Sequence, residues 1–82
     1  MRKRTKHSYF VVMQDYGKHG LEAIVQPEIT KREVIARIKS GEYRGIVFIH
    51  HVDDLLVEDV TLELLDAAVL ELKEDIRAAR VA

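Results

Sequence analysis

The sequence predicts a small α+β domain, in which a three- to four-stranded β-sheet carries two helices on one face. Three observations support this fold class: short apolar runs bounded by turn residues, a capping sequence in mid-chain, and a long C-terminal segment with helical periodicity. The predicted order is β-β-α-β-(β)-α, in which residues 55–58 are the candidate fourth strand. With 82 residues, 48% of them hydrophobic, the chain can build one core but not a second domain.

Two strands joined by a glycine-containing loop are expected at the start of the domain. Residues 9–13 are aromatic and β-branched, which is typical of a strand. Residues 21–26 form a less regular second strand that Pro27 ends. Gly17 and Gly20 in the intervening loop can adopt the positive φ angles of a hairpin turn. The pattern predicts a β-hairpin.

A helix is predicted over residues 31–40. Thr30 and Glu33 have the spacing of a capping box, in which each side chain accepts a hydrogen bond from a backbone N–H that the first helical turn leaves unpaired. Gly41 follows the last helical residue, where it can adopt the left-handed conformation that commonly ends a helix. These local signals predict both ends of the helix.

The third strand is predicted to lie at the centre of the sheet. Residues 46–49 are continuously apolar and rich in β-branched residues, which is typical of a strand buried on both faces. Asp53 and Asp54 then predict a turn. Because two helices on one face leave the other face uncovered, we expect a second copy of the chain to cover it.

The last helix is predicted over residues 61–80, which contain no Gly or Pro. Thr61 is its expected N-cap. Apolar residues three and four positions apart form one apolar stripe, which is wide enough to make helix pairing an alternative to packing on the sheet alone. This stripe consists of Leu62, Leu65, Val69, Leu72 and Ile76. Leu64, Ala68 and Leu70 fall outside it, so the apolar surface of the helix exceeds what one interface needs.

Charge is unevenly distributed along the chain, although the total is only −1. Residues 1–44 contain ten Lys and Arg against five Asp and Glu, whereas residues 45–82 contain three against nine. Residues 1–7 are expected to form a flexible basic tail, which leaves residues 8–82 as the single domain. The clustered positive charge makes weak nucleic-acid binding an alternative function, although the near-neutral total favours a protein partner. The candidate nucleic-acid residues are Arg2, Lys3, Arg4, Lys6, Lys31 and Arg32.

A metal or acid–base site is a second alternative. His50, His51 and Asp53 form the densest group of metal-ligating side chains in the chain. Adjacent residues of a strand point to opposite faces, so the two histidines cannot share one ion while the strand continues. His51 and Asp53 alone supply two ligands, fewer than the three of a catalytic zinc site. We therefore predict neither a metal ion nor another cofactor.

No motif predicts catalysis. Gly17-Lys18-His19-Gly20 resembles the backbone-clamping loop of KH-type domains, but that loop joins two helices and this one is predicted to join two strands. A solvated hairpin turn is the simpler interpretation. The chain contains no cysteine, and two of its three threonines are predicted helix caps, so no nucleophile with an adjacent base is apparent. We expect a protein that is not an enzyme.

The sequence therefore favours a small protein-interaction or regulatory domain that associates with itself. We expect a homodimer or a complex with another protein. The absence of cysteine fits a reducing compartment, and no apolar run is long enough for export or for a membrane-spanning helix. A cytoplasmic location without a membrane partner follows as the expectation.

Overall fold

The chain forms four strands and two α-helices in the order β-β-α-β-β-α, which confirms the predicted α+β class; the fourth strand exists but spans Val57–Asp59 rather than residues 55–58. The computed structural model describes residues 8–81, so the basic tail predicted over residues 1–7 lies outside the described residues. The elements are β1 Tyr9–Asp15, β2 Leu21–Pro27, α1 Lys31–Lys39, β3 Ile46–Val52, β4 Val57–Asp59 and α2 Thr61–Val81. The strands form one antiparallel sheet in the order β2-β1-β3-β4.

β1 and β2 form the predicted hairpin. Tyr9 lies opposite Pro27 and Asp15 lies opposite Leu21, so the two strands pair over their whole length. Because β2 is an edge strand, Pro27 can occupy its last position without removing a hydrogen bond from the interior of the sheet. A short 3₁₀ turn over Gly17–His19 closes the hairpin.

α1 begins where the sequence predicts and ends one residue earlier, at Lys39. The Thr30 hydroxyl accepts a hydrogen bond from the Glu33 N–H at 3.1 Å, and the Glu33 carboxylate accepts one from the Thr30 N–H at 2.7 Å. Gly41 has a φ of 79°, and its N–H donates to the Ile38 carbonyl at 3.1 Å. The capping box and the left-handed glycine therefore satisfy backbone groups at both ends of α1.

Both helices pack on the same face of the sheet, which we call the covered face. Phe10, Val12 and Ile49 of β1 and β3 lie on this face and are at most 2% exposed. They form one core cluster with side chains from both helices and from the residue before α2. Those side chains are Val34, Val60 and Leu64. This arrangement confirms the predicted placement of the helices.

The prediction that the third strand is buried on both faces is wrong. β3 does lie at the centre of the sheet, but only Ile49 is buried; Phe48 is half-buried and Val47 is 49% exposed. Both helices pack on the face of Ile49, so nothing from the two helices covers the other face. The pairing of β1 with β3 also shifts register between Met13 and Gln14, which leaves Val47 without a partner on β1.

The predicted N-cap role of Thr61 is also wrong. Thr61 is the first residue of α2, and its hydroxyl accepts a hydrogen bond from the Ile49 N–H at 2.8 Å. The Val60 N–H donates to the Ile49 carbonyl at 2.9 Å, while the Asp59 carboxylate accepts the Thr61 N–H at 2.9 Å. The hydroxyl is therefore used to attach the start of α2 to β3, twelve residues away along the chain.

The buried side of α2 differs from the predicted stripe. Leu64 and Ala68 are 1% exposed and face the core, whereas Leu62 and Ile76 of the stripe are 72% and 59% exposed. The attachment at Ile49 sets the rotation of the helix about its own axis. Because successive residues are about 100° apart around a helix, this rotation buries one row of side chains and turns the neighbouring row outward.

We predict that Gly45→Ala destabilises the domain by about 1–3 kcal/mol. Gly45 has a φ of 37°, and a Cβ added there would lie 2.7 Å from the backbone oxygen of Asp15. Chemical denaturation compared with Gly41→Ala provides the control, because Gly41 also has a positive φ but has no atom within 4 Å of an added Cβ. Equal unfolding midpoints for the two variants would show that the close approach to Asp15 does not matter.

Candidate interaction surfaces

The two candidate metal-binding histidines, His50 and His51, lie on opposite faces of β3. His51 lies on the covered face, where its Nε2 is 2.9 Å from the Ser8 hydroxyl and its ring centroid is 4.8 Å from that of Phe10. His50 lies on the opposite face and stacks on Phe48, with 4.1 Å between ring centroids. The sheet thus separates the two imidazoles, as the strand alternation predicts.

The third member of the predicted metal group, Asp53, is engaged in a turn. Its Oδ1 accepts hydrogen bonds from the Leu55 and Leu56 N–H groups at 2.8 and 3.0 Å. These two bonds hold the pKa of the Asp53 carboxyl below its usual value of 3.8. Within residues 8–81, no three His, Asp or Glu side chains are grouped so that they could hold a metal ion. The metal or acid–base hypothesis stays a prediction.

Basic residues of α1 form ion pairs with acidic residues of α2. Lys31 Nζ lies 2.8 Å from Glu63 Oε2, and Lys39 Nζ lies 3.1 Å from Glu71 Oε1 and 3.0 Å from Asp75 Oδ2. Hydrogen bonds to Asp75 and then to Glu71 raise the pKa of Lys39. The start of α1 pairs with the start of α2, and the end of α1 with the middle of α2, so the helices run parallel. The opposite charges of the two halves of the chain meet inside one molecule.

Of the candidate nucleic-acid residues, the structure describes Lys31 and Arg32. Lys31 contacts Glu63, so its positive charge has an acidic neighbour, whereas Arg32 is exposed on the same helix. Arg2, Lys3, Arg4 and Lys6 lie outside the described residues. Nucleic-acid binding stays a prediction.

The glycine-containing loop borders a shallow cleft of about 610 Å³. Its lining residues are Asp15, Tyr16, His19, Arg44 and Gly45. Beside the cleft, the side chain of Gln14 is 1% exposed and accepts a hydrogen bond from the Arg44 N–H at 2.6 Å. Its amide group donates to the Tyr16 hydroxyl at 3.3 Å. These bonds join the hairpin to the start of β3, which gives the loop a structural role.

The face of the sheet opposite to the helices, which we call the open face, is mostly apolar. Leu21, Val25 and Val57 on it are 63%, 57% and 61% exposed. Residues paired directly across antiparallel strands share a face, so the register identifies the rest of this surface. Its apolar members are Tyr9, Val11, Met13, Leu21, Ala23, Val25, Phe48, Val52 and Val57. The sequence predicts that an uncovered face exists. Only the pairing register of the strands, however, shows that Leu21 and Val57 lie on it.

A second apolar surface lies on α2. The α2 stripe consists of Leu62, Leu65, Val69, Leu72 and Ile76, and all of them except Leu65 are at least 39% exposed. From Leu72 to Arg80 every residue of α2 is exposed, so the C-terminal half of the helix lies beside the domain without packing on it. The spacing that predicts this stripe is present in the sequence. The exposure of the stripe cannot be predicted, because the sequence does not show which side of the helix faces the core.

The fold and these surfaces define a small α+β domain with two exposed apolar surfaces. No protein-family model, curated protein or solved structure matches the chain. In the part of the chain that the structure describes, no helix combines the length and the apolar character needed to cross a membrane. The two surfaces are therefore the features that indicate a function.

We predict that Asp53→Asn weakens the acid sensitivity of the fold. The pKa of Asp53 is lowered in the folded state, so its contribution to stability is present above the ordinary value of 3.8 and is lost as the pH falls through the lower folded value. An asparagine oxygen can accept the same N–H bonds without titrating. Denaturation midpoints between about pH 2 and 5 should fall less steeply for the variant than for the wild type.

Asp54→Asn is the matched control, since Asp54 is the exposed neighbour and its carboxylate does not accept the bonds of this turn. The control should keep the wild-type pH dependence. Identical profiles for Asp53→Asn and the wild type would contradict the stabilising role assigned to the Asp53 carboxylate.

Proposed function

We propose that the protein is a non-enzymatic interaction domain that associates with a second copy of itself through the open face. One observation carries this proposal: the open face is largely apolar, while both helices pack on the covered face. An apolar sheet face is stabilised when another sheet packs about 10 Å from it. Two open faces related by a two-fold axis supply to each other the layer that each domain lacks.

The polar members of the open face support this use. Asp15 lies at the end of β1, and Asp59 lies on the short edge strand β4. His50 lies nearer the centre but stacks on the half-buried ring of Phe48. An apolar centre with charged groups at the margin is the usual arrangement of protein interfaces. The carboxyl of Asp59 also accepts hydrogen bonds from the Thr61 hydroxyl and N–H, which lower its pKa and keep it charged at the rim.

The magnitudes favour a reversible dimer. Burying the exposed parts of Leu21, Val25 and Val57 contributes roughly 1–2 kcal/mol for each side chain, and a symmetric pair contains six such side chains. Association costs roughly 4–15 kcal/mol in lost translational and rotational freedom. These two free energies are similar in size. The half-buried side chains of the open face therefore decide whether burial outweighs the cost of association. We expect a dimer that dissociates on dilution.

The proposed role involves no cofactor and no reaction. The interface consists of side chains that bind by burial and by shape, which is typical of a regulatory or scaffolding domain. The chain contains no cysteine, so neither its folding nor its association needs an oxidising compartment. We therefore propose that it acts in the cytoplasm.

We predict that Val25→Lys weakens self-association at least tenfold, because a charged group would have to be buried in the apolar centre of the interface. Multi-angle light scattering over a concentration series should give the wild type an average mass above the 9.4 kDa of one chain, and the variant a lower mass at every concentration. The substitution leaves the covered face untouched.

Ala36→Lys is the control, since Ala36 is exposed on α1 and the substitution adds the same charge on the covered side of the molecule. It should keep the wild-type mass. A wild type that remains at 9.4 kDa up to about millimolar concentration, or a Val25→Lys variant with the wild-type dissociation constant, would disprove association through the open face.

A further inference from the structure

The α2 stripe has the spacing of a coiled coil. Its members follow one another at intervals of three, four, three and four residues, so they occupy alternating a and d positions of a heptad repeat. Ala79 continues the pattern at the next d position and is exposed as well. A helix that only packs on a sheet needs a broader and less regular apolar side. The strict repeat is typical of a seam between two helices.

The residue types at these positions favour two parallel helices. The a positions are Leu62, Val69 and Ile76, of which two are β-branched. The d positions are Leu65, Leu72 and Ala79, of which two are leucine. β-branched residues at a with leucine at d favour parallel two-stranded coiled coils. The pattern is therefore self-complementary.

Charged residues beside the stripe agree with the parallel orientation. Asp75 occupies a g position and Arg80 the e position of the following heptad. In a parallel pair these are the positions that meet across the seam, so each helix would place its Asp75 against Arg80 of the other. Asp75 already bonds Lys39 through Oδ2, which holds its carboxylate at the edge of the stripe.

We infer that α2 pairs in parallel with α2 of a second copy of the chain, through the α2 stripe. The rotation of the helix permits this. The buried row of Leu64 and Ala68 precedes Leu65 and Val69 of the stripe by one residue, or about 100° around the axis. A two-fold axis parallel to the helices therefore places the two domains on opposite sides of the pair.

The domain also prepares the helix for pairing. A coiled coil of two and a half heptads is short, and an isolated peptide of this length would lose much free energy in forming the helix. Here the first half of α2 is already held in the helical state by the core contacts of Leu64 and Ala68 and by the ion pairs with α1. This part of the ordering cost is met before the partner binds, which favours association of a short seam.

This surface is separate from the open face, because α2 packs on the covered face. Using both surfaces together would join more than two chains. The proposed function and the helix pair both take a second copy of the chain as partner. The helix pair, however, does not need the open face. An experiment in the Val25→Lys background therefore tests the helix pair alone.

The absence of cysteine allows the pairing to be tested by single introduced thiols. In the Val25→Lys background, Leu62→Cys and Ile76→Cys each introduce one thiol, at opposite ends of the α2 stripe. Fourteen residues separate these positions, which corresponds to about 21 Å along a helix. In a parallel pair each thiol lies beside its own counterpart, so each variant should be crosslinked to a dimer by a short bismaleimide. In an antiparallel pair, only a mixture of the two variants would be crosslinked.

Leu70→Cys is the matched control, because Leu70 is 58% exposed on the same helix but lies off the α2 stripe. We expect at least tenfold faster crosslinking for Leu62→Cys and Ile76→Cys than for Leu70→Cys. Equal rates for all three variants, or crosslinking only in the mixture, would overturn the parallel pairing.

Because the altered side chains are exposed, circular dichroism should show unchanged folding. An average mass of Val25→Lys below that of the wild type, together with fast crosslinking at the stripe, would support both surfaces. The same lower mass without fast crosslinking would support the open face and reject the helix pair alone.

Discussion

The attachment of α2 to the middle of β3 is the constraint on which the other features depend. The Val60 N–H and the Thr61 hydroxyl both bond the backbone of Ile49, the residue whose side chain lies at the centre of the core. β4 can therefore pair with β3 only from Val57 to Asp59 before the chain crosses onto the covered face. The same bonds satisfy backbone groups of β3 that a longer β4 would otherwise pair with. Sheet pairing and helix placement are thus decided at one junction.

Two consequences of this junction lie far from it. Since α2 starts on the face that already carries α1, both helices cover one side and the apolar residues of the other side stay exposed. Since the start of α2 is fixed in rotation, Leu64 and Ala68 face the core and the regular heptad stripe faces outward. A domain of this size buries only a modest fraction of its surface, so two uncovered apolar surfaces form a large share of what it presents to other molecules.

Two of the basic residues in the first half of the chain are paired with acidic residues of the second half within the molecule. Lys31 and Lys39 are spaced by eight residues on α1, and their partners Glu63 and Glu71 are spaced by eight residues on α2. Two parallel helices of equal pitch bring such pairs into register. Exposed ion pairs contribute little to stability individually, so their main effect is to align α1 with α2. The acidic half of the chain lowers the positive potential around α1 that a nucleic acid would need.

Sequence and tertiary structure decided different properties of this protein. The capping box of Thr30 and Glu33, the left-handed Gly41 and the hairpin between residues 9 and 27 were predictable, because each depends on hydrogen bonds or torsion angles within a few neighbouring residues. The existence of surplus apolar surface followed from counting apolar residues against two helices on one face. The roles of Thr61 and the α2 stripe were not predictable.

Thr61 bonds Ile49, which is distant along the chain, and the periodicity of α2 does not show which side of the helix faces the core. The sequence by itself determined the elements, their order and the apolar excess, since these depend on local chemistry and composition. Only the tertiary structure decided which side of each element is buried, because that depends on the rotation imposed by contacts between distant residues.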